Sequence, residues 1–195
     1  DQQLVVVHDN DLKRVAGVSK LVSACEYAEL ATLDVGCWFD LQYAGAKIPT
    51  LAEYLQQAAA LKLNINIELK SCVGDESTVA ALVLQQVQQY WPSALAPPLL
   101  SSFAIEILQS VRADGCQYPI ALNAKRLTSK RLQIALALQC YSVHLQRRFI
   151  NRYAINKARQ HGLEVLVYTV NNAKLARQLL ALGAAAVFSD YMLFE

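Results

Sequence analysis

The sequence predicts an α/β protein whose sheet is a parallel barrel, and two observations carry that prediction. From about residue 48 onward, short apolar runs alternate with helical stretches, which is the pattern of repeated βα units around a parallel sheet. Two apolar runs also end in titratable groups, at Val7-His8-Asp9 and at Ile67-Glu68-Leu69-Lys70. A parallel barrel keeps its active site at the carboxyl ends of its strands, so these groups are the first candidates for chemistry.

Length and composition allow one large core and exclude several classes of protein. The 195 residues are 54% hydrophobic and 17% charged, so we expect a single domain over residues 1–195. The 18 basic and 16 acidic residues are scattered along the chain, and nucleic-acid binding is therefore not expected. No apolar run approaches the roughly 18 residues of a membrane span. The pairs Lys125-Arg126, Lys130-Arg131 and Arg147-Arg148 are expected on solvated helix and loop surface.

Strands are predicted in chain order, beginning with Leu4 to Val7. Residues 10–47 are weakly periodic and contain Gly17, Gly36 and Gly45, so this stretch is predicted to be an inserted lobe rather than a regular crossover. Six later apolar runs complete the set of strands. They are Asn64 to Lys70, Leu99 to Phe103, Pro119 to Leu122, Ser142 to Leu145, Glu164 to Val170 and Ala186 to Ser189.

The helices between these strands have recognisable ends. Thr50 and Glu53 have the spacing of a capping box after Pro49. Gly162 and Gly183 stand where a glycine ends a helix, because only glycine adopts the left-handed conformation there without strain. Asn171-Asn172 is predicted to cap a helix from Ala173 to Leu182.

The strand count falls one short of an eight-stranded barrel. A complete barrel usually has about 250 residues, and this chain opens with Asp1-Gln2-Gln3 running straight into a strand. We therefore expect a TIM (β/α)8 barrel that is N-terminally truncated, with its N-terminal strand region missing. Such a gap leaves strand edges unpaired, which predicts self-association through the open barrel edge.

Alternation in the segment Asn64 to Lys70 assigns its side chains to two faces. Polar residues, including Glu68 and Lys70, point into the barrel, and the aliphatic residues between them face the helices. A carboxylate and an ammonium buried at the barrel mouth would need a partner or a ligand. Two interpretations remain open, a ligand-binding or metal-binding pair and a structural ion pair.

Other polar residues at strand ends also allow two interpretations. His8 is either a proton-transfer group or a structural histidine. Tyr168 either forms an apolar wall for a small polyol or packs in the core. His144 shares a face with Ser142 and is expected to be a hydrogen-bonded core histidine, and His161 is assigned no chemistry.

Several segments share the order and spacing of one family. They are Asp1 to Arg14, Ile48-Pro49-Thr50-Leu51, Ile67-Glu68-Leu69-Lys70, Leu100-Ser101-Ser102-Phe103, Tyr168-Thr169-Val170-Asn171 and Phe188-Ser189-Asp190. In these segments the chain resembles the glycerophosphodiester phosphodiesterases over essentially its whole length. The closing third is most similar to the cytoplasmic bacterial enzymes, and five widely spaced cysteines without a Cys-x-x-Cys pair also fit a reducing compartment.

The resemblance implies a TIM barrel with a small insertion after the second strand, which corresponds to the lobe at about residues 10–47. It implies hydrolysis of small-molecule glycerophosphodiesters, such as glycerophosphocholine or glycerophosphoethanolamine, to glycerol 3-phosphate and an alcohol. One divalent cation, Mg²⁺ or Ca²⁺, is the implied cofactor. By matching motifs, His8 is a catalytic acid/base, Glu68 is a metal ligand, Lys70 contacts the phosphate and Tyr168 lies near the substrate.

The chain also departs from the family pattern. The family begins with a His-Arg-Gly strand and a Glu-x-Asp strand, and neither is found here. We therefore expect the chain as given to be inactive, and a noncatalytic remnant that binds phosphorylated ligands or a partner is the alternative. A third hypothesis is a phosphatidylinositol-specific phospholipase C on the same barrel. The insertion followed by Ile48-Pro49-Thr50-Leu51 argues against this hypothesis.

Overall fold

The computed structural model describes residues 1–70 and 74–194, so Cys72 lies outside the described residues. The chain divides into two compact units. The first consists of residues 1–64 and 82–96, and the second consists of residues 65–81 and the chain from residue 97 onward.

The first unit begins with a lobe of short helical segments. It contains α1 (Lys13–Ala16) and α2 (Tyr27–Leu30), and these pack around a small core of Leu12, Leu30 and Ile48. The lobe is followed by α3 (Leu51–Ala60). This irregular arrangement agrees with the weak periodicity of residues 10–47.

The predicted strand at Leu4 to Val7 is wrong as a strand of the parallel sheet. The segment is extended, but it makes only an isolated antiparallel bridge between Val5 and Thr50. The Val6 N–H donates to the Pro49 carbonyl at 2.9 Å, and the Leu51 N–H donates to the Leu4 carbonyl at 3.0 Å. Valine-rich sequence favours extended backbone without selecting the partner, and here the partner is the start of α3.

The second unit contains a sheet of six parallel strands arranged in sequence order. All six strands predicted from residue 64 onward are confirmed, with small changes in their bounds. Sequential parallel order is the arrangement found in (β/α)8 barrels. The strands are β1 (Asn66–Glu68), β2 (Leu99–Ser102), β3 (Ile120–Ala124), β4 (Ser142–Gln146), β5 (Glu164–Tyr168) and β6 (Ala186–Val187).

A helix follows each of the first five strands. The helix α4 (Glu76–Tyr90) follows β1, and the next four follow β2 to β5 in turn. Because each β-α-β unit is parallel, the loops after the strands all lie at the carboxyl edge of the sheet. These four helices are α5 (Ile105–Ala113), α6 (Ser129–Ala137), α7 (Arg152–Gln160) and α8 (Ala173–Ala181).

The predicted helix ends are confirmed. The Thr50 hydroxyl accepts from the Glu53 N–H at 3.2 Å, and the Glu53 carboxylate accepts from the Thr50 N–H at 2.8 Å, which completes the capping box. Asn172 caps α8 through the Leu175 N–H at 2.9 Å. Gly162 and Gly183 have φ of 76° and 103°, the left-handed backbone that favours glycine after a helix.

In the described residues, no helix combines the length and the apolar composition needed to cross a bilayer.

Candidate active site

Glu68 and Lys70 lie at the carboxyl end of β1. Their side chains are 31% and 36% exposed, and the Glu68 Oε1 lies 3.7 Å from the Lys70 Nζ. The alternation predicted for this strand is present, since Leu69 between them is buried. A long ion pair between partly exposed groups contributes little to stability.

Tyr168 lies at the carboxyl end of β5 and reaches across to the end of β3. Its hydroxyl donates to the Ala124 carbonyl at 3.0 Å, and its ring meets the Phe103 ring edge-on at 5.8 Å. Burial and the negative charge of Glu68 raise the pKa of Tyr168, and the positive charge of Arg131 opposes them. The structure therefore brings Tyr168 into the electrostatic field of Glu68, and keeps its hydroxyl protonated as a donor.

A cavity of about 590 Å³ lies beside Tyr168. Arg147 and Arg148 are exposed, as the sequence predicts, and they also contribute to the wall of this cavity. The loops after β4 and β5 bring them to Tyr168, a contact that residue spacing along the chain does not reveal. The lining residues are Gln146, Arg147, Arg148, Tyr168, Thr169 and Asn171.

His144 is a buried, hydrogen-bonded core histidine, as predicted. Its Nε2 lies 3.2 Å from the Ser142 Oγ, and only 2% of the residue is exposed. Its ring centroid is 5.1 Å from that of Phe188. Burial lowers the pKa of His144 to about 4, so the imidazole is neutral at neutral pH.

The neutral state of His144 predicts a pH dependence of stability. The ordinary pKa of 6.5 applies in the unfolded chain, so between pH 6.5 and about 4 only the unfolded state takes up the proton. The free energy of unfolding should therefore decrease as the pH is lowered from 6.5 to about 4, and this shift accounts for a decrease of about 3 kcal/mol at most. Urea unfolding across that range should show a smaller loss in His144→Gln. An equal loss in the variant would contradict the assignment, and His161→Gln, at an exposed position, is the control.

His8 lies in the first unit and is held by Asp9. The His8 Nδ1 is 2.7 Å from the Asp9 Oδ1, and the Arg14 Nε donates to the Asp9 Oδ2 at 2.6 Å. The hydrogen bond from Arg14 has the largest effect in holding the pKa of Asp9 well below its usual range, and the hydrogen bond from His8 lowers that pKa further. An ionised carboxylate only accepts hydrogen bonds, so Nδ1 of His8 carries a proton.

This arrangement adds two residues that the sequence interpretation did not assign. Asp9 sets the orientation and tautomer of His8, and Arg14 keeps Asp9 ionised. The available signal in the sequence was a carboxylate directly after a histidine at the end of a predicted strand, with an arginine five residues further on. Of the predicted site residues, Glu68, Lys70 and Tyr168 belong to the second unit and His8 belongs to the first.

The described residues do not form a complete metal site. None of their His, Cys, Asp and Glu side chains gather in a group of three or more that could hold an ion. Mg²⁺ and Ca²⁺ take six or more oxygen ligands, several of them carboxylates in typical sites. Glu68 can supply one such ligand, with the Lys70 ammonium 3.7 Å away as its present counterion.

Residues 1–193 match the glycerophosphoryl diester phosphodiesterase family. A glycerophosphodiester phosphodiesterase of Bacillus subtilis is 29% identical over 206 residues, covering 98% of this chain and 70% of that protein. The structure of an Oleispira antarctica phosphodiesterase in complex with the product sn-glycerol-3-phosphate is similar with a TM-score of 0.94 and 31% identity, covering 98% of this chain and 77% of that one. A glycerophosphodiester phosphodiesterase from Agrobacterium tumefaciens has a TM-score of 0.73 and 25% identity, covering 96% of this chain and 78% of that one.

Proposed function

Because the chain belongs to the glycerophosphoryl diester phosphodiesterase family, an enzyme family, we propose that it cleaves glycerophosphodiesters such as glycerophosphocholine or glycerophosphoethanolamine to glycerol 3-phosphate and an alcohol. The observation that carries this proposal is the family match over residues 1–193. The glycerol 3-phosphate complex of the Oleispira antarctica relative supports the choice of product. The described side chains supply proton transfer and positive charge, two functions that cleavage of a phosphodiester needs.

His8 is the proposed proton-transfer group. A histidine can take the proton from the attacking hydroxyl, or return a proton to the alkoxide as the phosphorus–oxygen bond to the alcohol breaks. Asp9 supports either step because it stabilises the imidazolium through Nδ1, which lies 2.7 Å from its carboxylate. Arg14 acts through Asp9 as a positioning residue.

Lys70 and Tyr168 are the proposed substrate contacts. The Lys70 ammonium can neutralise part of the charge on the phosphate, which is otherwise a barrier to an approaching nucleophile. Tyr168 presents an aromatic surface and a protonated hydroxyl, and its edge-on contact with Phe103 at 5.8 Å holds the ring in place. An aromatic wall of this kind suits the carbon backbone of glycerol.

Glu68 is the proposed ligand of a divalent cation, Mg²⁺ or Ca²⁺. Its carboxylate is 31% exposed at the carboxyl end of β1, where a hard cation could reach an oxygen donor. We assign no further ligands and no catalytic step to the ion, since the described residues do not complete its site.

The alternative is a noncatalytic remnant of the family that binds phosphorylated ligands or a partner. The incomplete ligand set among the described residues favours it. The discriminating assay measures release of glycerol 3-phosphate from glycerophosphocholine by the 195-residue chain, and by the chain extended upstream along its natural reading frame. We expect little release by the former and rapid, metal-dependent release by an extended chain that carries His-Arg-Gly and Glu-x-Asp. If neither protein releases product, the remnant is favoured.

We further propose one (β/α)8 domain over residues 1–195, with the lobe of about residues 10–47 as its insertion, in the cytoplasm. The sequential parallel order of the six strands supports the fold. The thiols of the four described cysteines are free, which fits a reducing compartment. Those cysteines are Cys25, Cys37, Cys116 and Cys140.

We also propose self-association through the edge of β1. In the described part of the chain this strand pairs only with β2. On that side the Ile65 carbonyl accepts from the Leu99 N–H, and the Leu69 N–H donates to the Ser101 carbonyl. The polar backbone groups of the alternate residue Asn66 then point to the other side, where a second chain can pair. Light scattering should show dimers or larger species for the 195-residue chain, and fewer of them for Asn66→Pro. A monodisperse monomer at high concentration would contradict this proposal.

A further inference from the structure

The charges of this protein are unevenly distributed along the chain. Residues 115–163 contain no aspartate or glutamate, yet they hold nine of the 18 basic residues. Seven of the nine occur in two short stretches that directly follow neighbouring parallel strands, β3 and β4. They are therefore brought to the same part of the carboxyl edge of the sheet. These seven are Lys125, Arg126, Lys130, Arg131, Arg147, Arg148 and Arg152.

Helix stability does not explain this arrangement. Lys130 and Arg131 lie in the first turn of α6, and Arg152 begins α7, while neither first turn contains an acidic residue. The amino end of a helix carries a partial positive charge and favours anions, so cations there oppose the helix dipole. The dipoles of α6 and α7 instead add to the positive potential of the arginines.

An aromatic ring links the two basic stretches. The guanidinium carbon of Arg126, from the loop after β3, lies 4.4 Å from the centroid of Phe149. That of Arg148, from the loop after β4, lies 5.9 Å from the same ring. Stacking of this kind orders a guanidinium and leaves its edge N–H groups available to an anion.

These arginines have no carboxylate counterion within the described residues. Of the ion pairs formed there, none involves Arg126, Arg131, Arg147 or Arg148. Asp190 lies near the cavity, but its carboxylate accepts from the Asn171 amide at 2.7 Å. We call the set Arg126, Arg131, Arg147 and Arg148 the arginine rim.

The arginine rim adjoins the proposed substrate site. Arg147 and Arg148 line the cavity of about 590 Å³ together with Tyr168. The charges of Arg131 and Glu68 both act on the Tyr168 hydroxyl, so Arg131 of the rim, Tyr168 and the proposed metal ligand lie at one edge of the sheet. The cavity is large enough for a small group that extends beyond the phosphodiester.

We propose that the arginine rim binds a second anionic group, carried by the alcohol portion of the diester. This inference rests on the proposed function and narrows its substrate class. The protein then prefers glycerophosphodiesters whose alcohol bears a phosphate or carboxylate over those whose alcohol is neutral or cationic, such as choline. Guanidinium groups bind both kinds of anion through paired N–H donors.

Calorimetric binding tests the proposal with two diesters that differ only in the alcohol. One is glycerophosphoglycerol, whose alcohol is neutral, and the other is the same diester with a terminal phosphate monoester. We expect the phosphorylated diester to bind the chain about tenfold more tightly at low salt, with the difference shrinking as salt screens the charges. In Arg147→Gln/Arg148→Gln the two diesters should bind almost equally.

The matched control is Lys157→Gln/Arg159→Gln, which removes the same charge from the last turn of α7, away from the carboxyl edge. It should keep the preference. If both diesters bind the unmodified chain equally, the proposed role of the arginine rim is overturned and the proposed function stands. If neither diester binds, the proposed function itself is contradicted. Binding to phosphatidylglycerol vesicles that is lost in the rim variant, with diester preference unchanged, would identify a membrane-binding surface and also overturn the proposal.

Discussion

Replacing Glu68 by glutamine is expected to lower kcat/KM for glycerophosphocholine by about 100-fold or more and to weaken the dependence of activity on Mg²⁺ or Ca²⁺. The substitution keeps the size of the side chain and removes one anionic oxygen ligand. It should leave the fold intact, because the ion pair with Lys70 is about one-third exposed and long at 3.7 Å. The measurement is a metal titration of glycerol 3-phosphate release, using the form of the protein that is active in the assay above.

Glu164→Gln is the matched control for this substitution. Glu164 begins β5 at the amino edge of the same sheet, so its replacement changes the net charge equally and should preserve activity. Near-normal turnover with an unchanged metal requirement in Glu68→Gln would show that Glu68 and Lys70 form a structural ion pair instead. That outcome would select the second of the two interpretations that the sequence leaves open.

Replacing His8 by alanine is expected to reduce kcat by about 10²- to 10⁴-fold, the range typical of general acid–base catalysis. KM should change much less, because the imidazole moves a proton and does not hold the substrate. Asp9→Asn should give a smaller loss of the same kind, since it weakens the interaction that fixes the His8 tautomer at 2.7 Å. Steady-state kinetics on both variants provide the measurement.

His161→Ala is the control for this second prediction. His161 is exposed, and its Nδ1 lies 2.8 Å from the Lys157 carbonyl at the end of α7. Its loss should leave kcat unchanged. If His8→Ala retained the turnover of the unmodified protein, His8 would be a structural residue, and its hydrogen bond to Asp9 would only stabilise the local loop.

The sequence by itself determined the features that depend on neighbouring residues. The six strands of the sheet followed from apolar runs, and the capping box of Thr50 and Glu53 followed from a spacing of three residues. The alternation around Leu69 placed Glu68 and Lys70 on one face, because successive side chains of a strand point in opposite directions. Motif order alone was enough to indicate the family.

Only the tertiary structure decided which distant segments meet. It paired Val5 with Thr50 instead of a parallel strand, stacked Arg126 and Arg148 on one ring, and carried the Tyr168 hydroxyl to Ala124. Periodicity and capping are short-range properties, whereas these contacts join residues far apart in sequence and depend on how the loops after parallel strands converge. The dibasic pairs therefore resemble ordinary surface in the sequence, and become a positive rim only when the sheet brings them together.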